Sequence, residues 1–201
     1  MSDRPVFYYD LNSPYSWLAA ERIHEVFDEP PVWRPISYAF VVAHTGVMPW
    51  SVKDDERKEH FAEIDRRIVE RGLPAVRYPE GWPLQTPTLN AMRAATFAAE
   101  IGKVVSFSLA AFRQQFNAGR SLADEDTIVL AGAACEIHPN ALLPAIKRDA
   151  IKERLKQATN DAIEAGITNV PTVQVGDELF WGDDRLEDAA AAAVSAAKPT
   201  G

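Results

Sequence analysis

Cysteine is nearly absent. The 201 residues contain one, Cys135. One thiol excludes an internal disulfide, a C-x-x-C redox pair and a four-thiolate zinc site. Histidine is sparse too: His24, His44, His60 and His138 lie far apart with no H-x-x-x-H pair. A metal centre is therefore not expected, although carboxylate ligands stay open. Apolar runs are short, as in Phe40-Val41-Val42-Ala43, against the roughly 20 residues of a membrane-spanning helix. The opening Met1-Ser2-Asp3-Arg4-Pro5 lacks the apolar stretch of a secretory signal. Basic charge is in the minority: 21 Lys and Arg against 29 Asp and Glu leave a net charge of −8. The basic residues do not cluster, which disfavours nucleic acid as a partner. The expectation is a soluble, cytoplasmic protein that works on a small molecule and binds neither membrane nor nucleic acid.

What is present is ordinary globular material, 47% hydrophobic and 25% charged, of a length that suits one domain carrying an insertion. Val6-Phe7-Tyr8-Tyr9-Asp10 reads as a buried strand. Ser13-Pro14 opens a helix, with Ser as cap and Pro at its first position, and the pattern runs to about Phe27. Val32 to Tyr38 reads as a second strand, with Pro35 marking an edge or a bulge. A β-α-β unit this short predicts parallel strands. Helical spacing then dominates: Asp54 to about Arg71, a start at Thr86 or Thr88 running to Gly102, and segments marked by Phe112, Ile128, Leu142 and Leu155. A loop from Ala75 to Pro87 interrupts them. Thr172–Val175 and Glu178–Trp181 form a hairpin about Gly176-Asp177, and an Ala-rich helix follows from Arg185. This order predicts an α/β, thioredoxin-like fold. Residues 1–42 and 167–201 would form the thioredoxin-like domain and 43–166 an all-helical insertion.

Three short segments carry candidate chemistry. Ser13-Pro14-Tyr15-Ser16 fills the first β-α turn, where a thioredoxin-type fold places its reactive dithiol. Hydroxyls have no redox chemistry, but Ser13 can donate a hydrogen bond to a bound thiolate beside a positive helix end. It can equally be a plain N-cap. Val170-Pro171 precedes a strand. A cis bond there leaves the Val170 backbone N–H and C=O open to an extended ligand; a trans proline merely starts the strand. Gly182-Asp183-Asp184-Arg185 opens a helix, where the acids suit the dipole or meet a ligand ammonium, and where Arg185 can meet a carboxylate.

Two stretches resemble the 2-hydroxychromene-2-carboxylate isomerases and kappa-class glutathione transferases, a DsbA-like group within the thioredoxin superfamily. They are Phe7-Tyr8-Tyr9-Asp10-Leu11-Asn12-Ser13-Pro14-Tyr15-Ser16-Trp17-Leu18-Ala19, and Gly166 to Thr172 with Phe180-Trp181-Gly182-Asp183-Asp184-Arg185-Leu186-Glu187. The resemblance implies glutathione, or another small thiol, as cofactor. It places Ser13 at the cofactor sulfur, and Val170 with Pro171 against the cysteinyl backbone. Asp183, Asp184 and Arg185 would hold the γ-glutamyl end. It also implies a thiol-dependent isomerase or transferase acting on an aromatic enone or chromene, and a homodimer. The family's Asn-Lys-Pro segment is missing. His44 to Lys53 stands there instead, with Lys53 either replacing the lysine or simply exposed at a helix start. Tyr15, Phe40, Trp50 and Trp82 are candidates for the acceptor pocket, although packing accounts for Trp82 as simply. Two other classes stay open: a thiol-disulfide oxidoreductase homologue without its dithiol, and a non-catalytic binding module.

Overall fold

A computed structural model describes residues 4–197; residues 1–3 of the opening stretch, and 198–201 at the end of the anticipated second segment, lie outside it. The strands are β1 (Val6–Tyr9), β2 (Val32–Pro35), β3 (Thr172–Val175) and β4 (Glu178–Trp181). They form one mixed sheet in the order β2-β1-β3-β4. β1 runs parallel to β2 with Val6 opposite Val32, and antiparallel to β3 with Phe7 opposite Val173. Pro35 sits on an edge strand, where a missing N–H costs no ladder bond.

The helices are α1 (Pro14–Ala20), α2 (Ile23–Val26), α3 (Tyr38–Thr45), α4 (Asp54–Glu70), α5 (Leu89–Glu100), α6 (Val104–Phe116), α7 (Glu125–Ala133), α8 (Pro139–Ala145), α9 (Asp149–Glu164) and α10 (Leu186–Ala197). The fold is thioredoxin-like, with helices inserted between its β-α-β and β-β-α halves.

Three boundaries differ from the sequence reading. The first helix does not run unbroken to Phe27. The Arg22 N–H turns to Ala19 O, three residues back, while the Arg22 guanidinium reaches Asp183 O at 3.3 Å and pairs with Glu187. The second strand stops at Pro35 and not Tyr38, because the Tyr38 N–H is taken by Asp10 Oδ2 at 2.8 Å. Tyr38 therefore starts α3, which reads apolar nearly all round and so shows no helical stripe. The Ala-rich helix starts one residue late, after a 3-10 turn at Asp183–Arg185.

Side-chain alternation along β1 explains how the sheet is covered on both faces. Phe7 and Tyr9 are fully buried on one face with Trp17, Met92, Phe107, Phe112 and Phe116. Tyr8 packs on the other with Ile36, Val41, Ala162, Ile167 and Val170. Burying each such large side chain contributes about 1.5–3 kcal/mol. The first of these cores joins strand residues to Ile64 and Ile68 of α4 and to Ile128 of α7 without a break.

A walled cavity at the first β-α turn

The site starts from Asp10, the residue that follows β1. Its side chain is almost fully buried. Oδ1 accepts the Asn12 N–H at 2.9 Å and the Thr88 hydroxyl at 3.0 Å, and Oδ2 accepts the Tyr38 N–H. Tyr38 begins α3 and Thr88 caps α5, so one carboxyl answers the positive ends of two helices and steadies the turn leading to α1. Burial pushes the Asp10 carboxyl up in pKa, and its hydrogen bonds from Asn12, Tyr38 and Thr88 pull the other way.

Ser13 caps α1. Its Oγ accepts the Ser16 N–H at 3.1 Å. That uses an oxygen lone pair and leaves the hydroxyl hydrogen to be donated elsewhere; among the described residues it has no acceptor.

Above the turn lies the long connection between α4 and α5. Asn12 fastens it. Its Nδ2 donates to Pro83 O at 3.2 Å, and its Oδ1 accepts from Gln115 Nε2 at 2.9 Å and from the Thr86 hydroxyl at 3.4 Å. Its backbone oxygen accepts the Trp82 indole N–H at 3.2 Å. The Trp82–Pro83 peptide is cis. Trp82 packs on Tyr78 at a centroid distance of 4.7 Å and on Trp50 at 5.9 Å.

Between turn, connection and α3 lies a cavity of about 500 Å³, a size that suits a small organic ligand. Ser13, Phe40, Trp50, Trp82 and Val170 all line it. These five were singled out from sequence, and the fold brings them together. Asp10, Asn12, Tyr38, Met48, Thr88 and Asn169 line it as well, and sequence reasoning did not name them as site residues. A charged residue closing an otherwise apolar strand was the signal for Asp10. Nothing local distinguishes Met48 or Thr88.

The other expected residues stand elsewhere. Tyr15 is not on the cavity wall. Its hydroxyl shares a hydrogen bond with His60 Nδ1 at 2.7 Å, and burial pushes its pKa up to about 12 while the nearby Arg67 opposes. Burial pushes the His60 imidazole down. His60 also stacks on Trp50 at 4.4 Å, behind the wall. Lys53 is exposed and pairs with Glu56 at 2.8 Å.

Asp183 requires a correction. It is fully buried, and its two oxygens take Arg67 and Arg71 of α4 and the residue following it. With no exposed side-chain surface, it offers a ligand ammonium no approach. Asp184 is different: its side chain is 59% exposed, with Oδ2 3.4 Å from Arg67 Nη2. Gly182, at φ +112°, takes a turn that an L side chain rarely adopts, and an added Cβ would collide with Asp184 Oδ1. Arg185 pairs with Asp188 at 2.5 Å and lies over the Phe180 ring.

The Val170–Pro171 peptide is cis. The Val170 N–H is nonetheless not open, because Asn169 Oδ1 accepts it at 3.0 Å. An incoming peptide-like ligand has to displace that side chain. Pro171 O accepts the Gly182 N–H at 3.0 Å, which ties the two segments together. Cys135 lies after α7 with Sγ against Gly132 O at 3.2 Å, and burial pushes its thiol up. Among the described residues no cluster of His, Cys, Asp and Glu suits a metal, and no helix is long and apolar enough to cross a membrane.

Comparison with known proteins agrees with this architecture. The family model of the DSBA-like thioredoxin domain matches residues 6–193. A 2-hydroxychromene-2-carboxylate isomerase of Pseudomonas sp. (strain C18) is 25% identical over 183 residues, 90% of this chain and 85% of that one. An isomerase of the same name from Pseudomonas putida is 24% identical over 185 residues, 90% of this chain and 89% of that one. A solved 2-hydroxychromene-2-carboxylate isomerase superposes with a TM-score of 0.83 at 22% identity, covering 95% of this chain and 94% of its own.

Proposed function

This chain belongs to the DSBA-like thioredoxin domain family, and we propose that within it the protein is a thiol-dependent isomerase or transferase of aromatic enones, with glutathione as the thiol. What carries the reading is the Ser13 hydroxyl. It stands at the first β-α turn, lines a cavity, and holds its hydrogen free while its oxygen is engaged by the Ser16 N–H. A thiolate placed there receives that hydrogen bond, which favours the charged form and lowers the thiol pKa. Each unit of lowering corresponds to about 1.36 kcal/mol.

The chemistry follows from the thiolate. Sulfur attacks the electron-poor carbon of the enone. A C–S bond forms, the C=C π bond breaks, and the charge moves to the carbonyl oxygen. Rotation about the resulting single bond and expulsion of the thiolate return the isomer with no net use of thiol. Protonation and release of the adduct make the same site a transferase. Trp50, Trp82 and Phe40 would present the apolar wall to the aromatic ring. Asp184, exposed within the 3-10 turn, is the carboxylate that would meet the γ-glutamyl amine. Disulfide exchange finds no support, since hydroxyls occupy the dithiol position and Cys135 is buried on another element.

The test is a calorimetric titration of reduced glutathione into the protein at neutral pH. Binding in the micromolar to low millimolar range, weakened in Asp184→Ala, is expected. No heat with either protein would remove the glutathione assignment.

A further inference from the structure

The cavity wall has an uneven chemistry. Among the described residues, none of those lining it is Lys, Arg or His. The one ionisable carboxyl on the wall is Asp10, and it already takes the N–H of Tyr38 and the hydroxyl of Thr88 at the starts of α3 and α5. Those helix ends would otherwise have suited a ligand anion. Lys53 and Arg67 are not on the wall. Lys53, which follows the wall residue Val52, pairs with Glu56. Arg67 pairs with Glu63, Asp183 and Asp184. The mouth is apolar as well: Phe40, Met48 and Leu84 line the cavity and are 54%, 54% and 77% exposed.

From this wall we infer that the acceptor is uncharged, an aromatic ketone-type enone without a carboxylate. The inference rests on the reading of this cavity as the acceptor site. A carboxylate drawn into it would lose water without gaining a cation and would approach the Asp10 carboxyl. A neutral carbonyl meets neither cost, and its ring lies against Trp50 and Trp82. The similar isomerases carry a carboxylate in their substrate's name; this wall fits the same enone chemistry on a different molecule.

The experiment compares benzylideneacetone with benzylidenepyruvate, which differ by a methyl group against a carboxylate. Both are measured by equilibrium dialysis at neutral pH with no thiol present, so a failed glutathione titration leaves this result standing on its own. Benzylideneacetone is expected to bind at least about 30-fold more tightly, roughly 2 kcal/mol at 1.4 kcal/mol per tenfold. Met48→Arg, which places a cation at the exposed mouth, should narrow that ratio by about tenfold or more. Equal binding, tighter binding of the carboxylate, or no binding of either overturns the inference. So does a ratio that Met48→Arg leaves unchanged.

Discussion

Asp183→Asn separates a structural carboxylate from a ligand-binding one. Asp183 is fully buried, and the side chains of its partners Arg67 and Arg71 are 14% and 17% exposed. The asparagine keeps the shape but supplies one acceptor oxygen for two guanidinium groups, and it turns an NH2 donor toward one of them. Removing one partner of a buried ion pair costs about 3–5 kcal/mol. Arg67 retains Glu63 at 2.6 Å, which limits the loss to the lower end, about 3 kcal/mol. At about 2–4 °C per kcal/mol for a chain of this size, Tm falls by about 6–12 °C. Thermal melts followed by circular dichroism give that number. Glutathione calorimetry well below the transition gives the second: affinity within about threefold of the parent. Asp184→Ala should show the reverse, near-normal melting and weakened binding. A Tm change under 2 °C in Asp183→Asn, with a tenfold loss of glutathione affinity, would refute the assignment of Asp183 to the fold.

Ser13→Gly should leave Tm nearly unchanged, since glycine caps a helix within a few tenths of a kcal/mol of serine, whereas Ser13→Ala costs about 1 kcal/mol. Both should raise the pKa of the bound thiol by about one unit, read as thiolate absorbance against pH; an unchanged value in Ser13→Gly would remove Ser13 from the chemistry. His60 is held below its ordinary pKa by burial, so the unfolded chain takes the proton more readily. Its contribution is complete above about pH 6.5 and is lost as pH falls through the folded value. His60→Gln should therefore flatten the fall in urea midpoint below pH 6.5, while His24, shifted in the same direction, remains in both proteins. Asn12→Ala leaves Gln115 Nε2 without its partner and Pro83 O with only the Thr86 hydroxyl and should cost about 1–3 kcal/mol; a loss under 0.5 kcal/mol would mean the connection above the turn is held by its aromatic packing and by the Trp82 bond to the Asn12 backbone.

The local signals in this sequence were of two kinds, and they fared differently. Punctuation was legible: Ser13-Pro14 capping a helix, Gly176-Asp177 turning a hairpin, Pro35 on an edge. Each depends on one residue's backbone preference, which needs no knowledge of the rest of the chain. The boundary at Tyr38 was not legible, because the group that ends the strand is the Asp10 side chain from another element. The site divided in the same way. Ser13 and Val170 are marked by their place in the β-α turn and before the hairpin. Asp183 looked like its neighbour Asp184 in sequence. What separates them is burial of Asp183 between Arg67 and Arg71, which arrive from α4 and the residue after it, more than a hundred residues earlier.

The hydrogen bonds of Asn12 have a consequence for how such a protein can change over time. They lock the connection above the cavity to the turn that carries Ser13, so the reactive group and its roof move as one piece. The mouth is built differently. Phe40 and Met48 come from outside that connection, and their side chains are largely in solvent. Substitutions there alter what enters while costing little stability, since exposed positions seldom shift it by more than about 0.5 kcal/mol. Chemistry and preference are thus carried by different parts of the molecule. A lineage can exchange one substrate for another at the mouth and keep the same reaction beneath it.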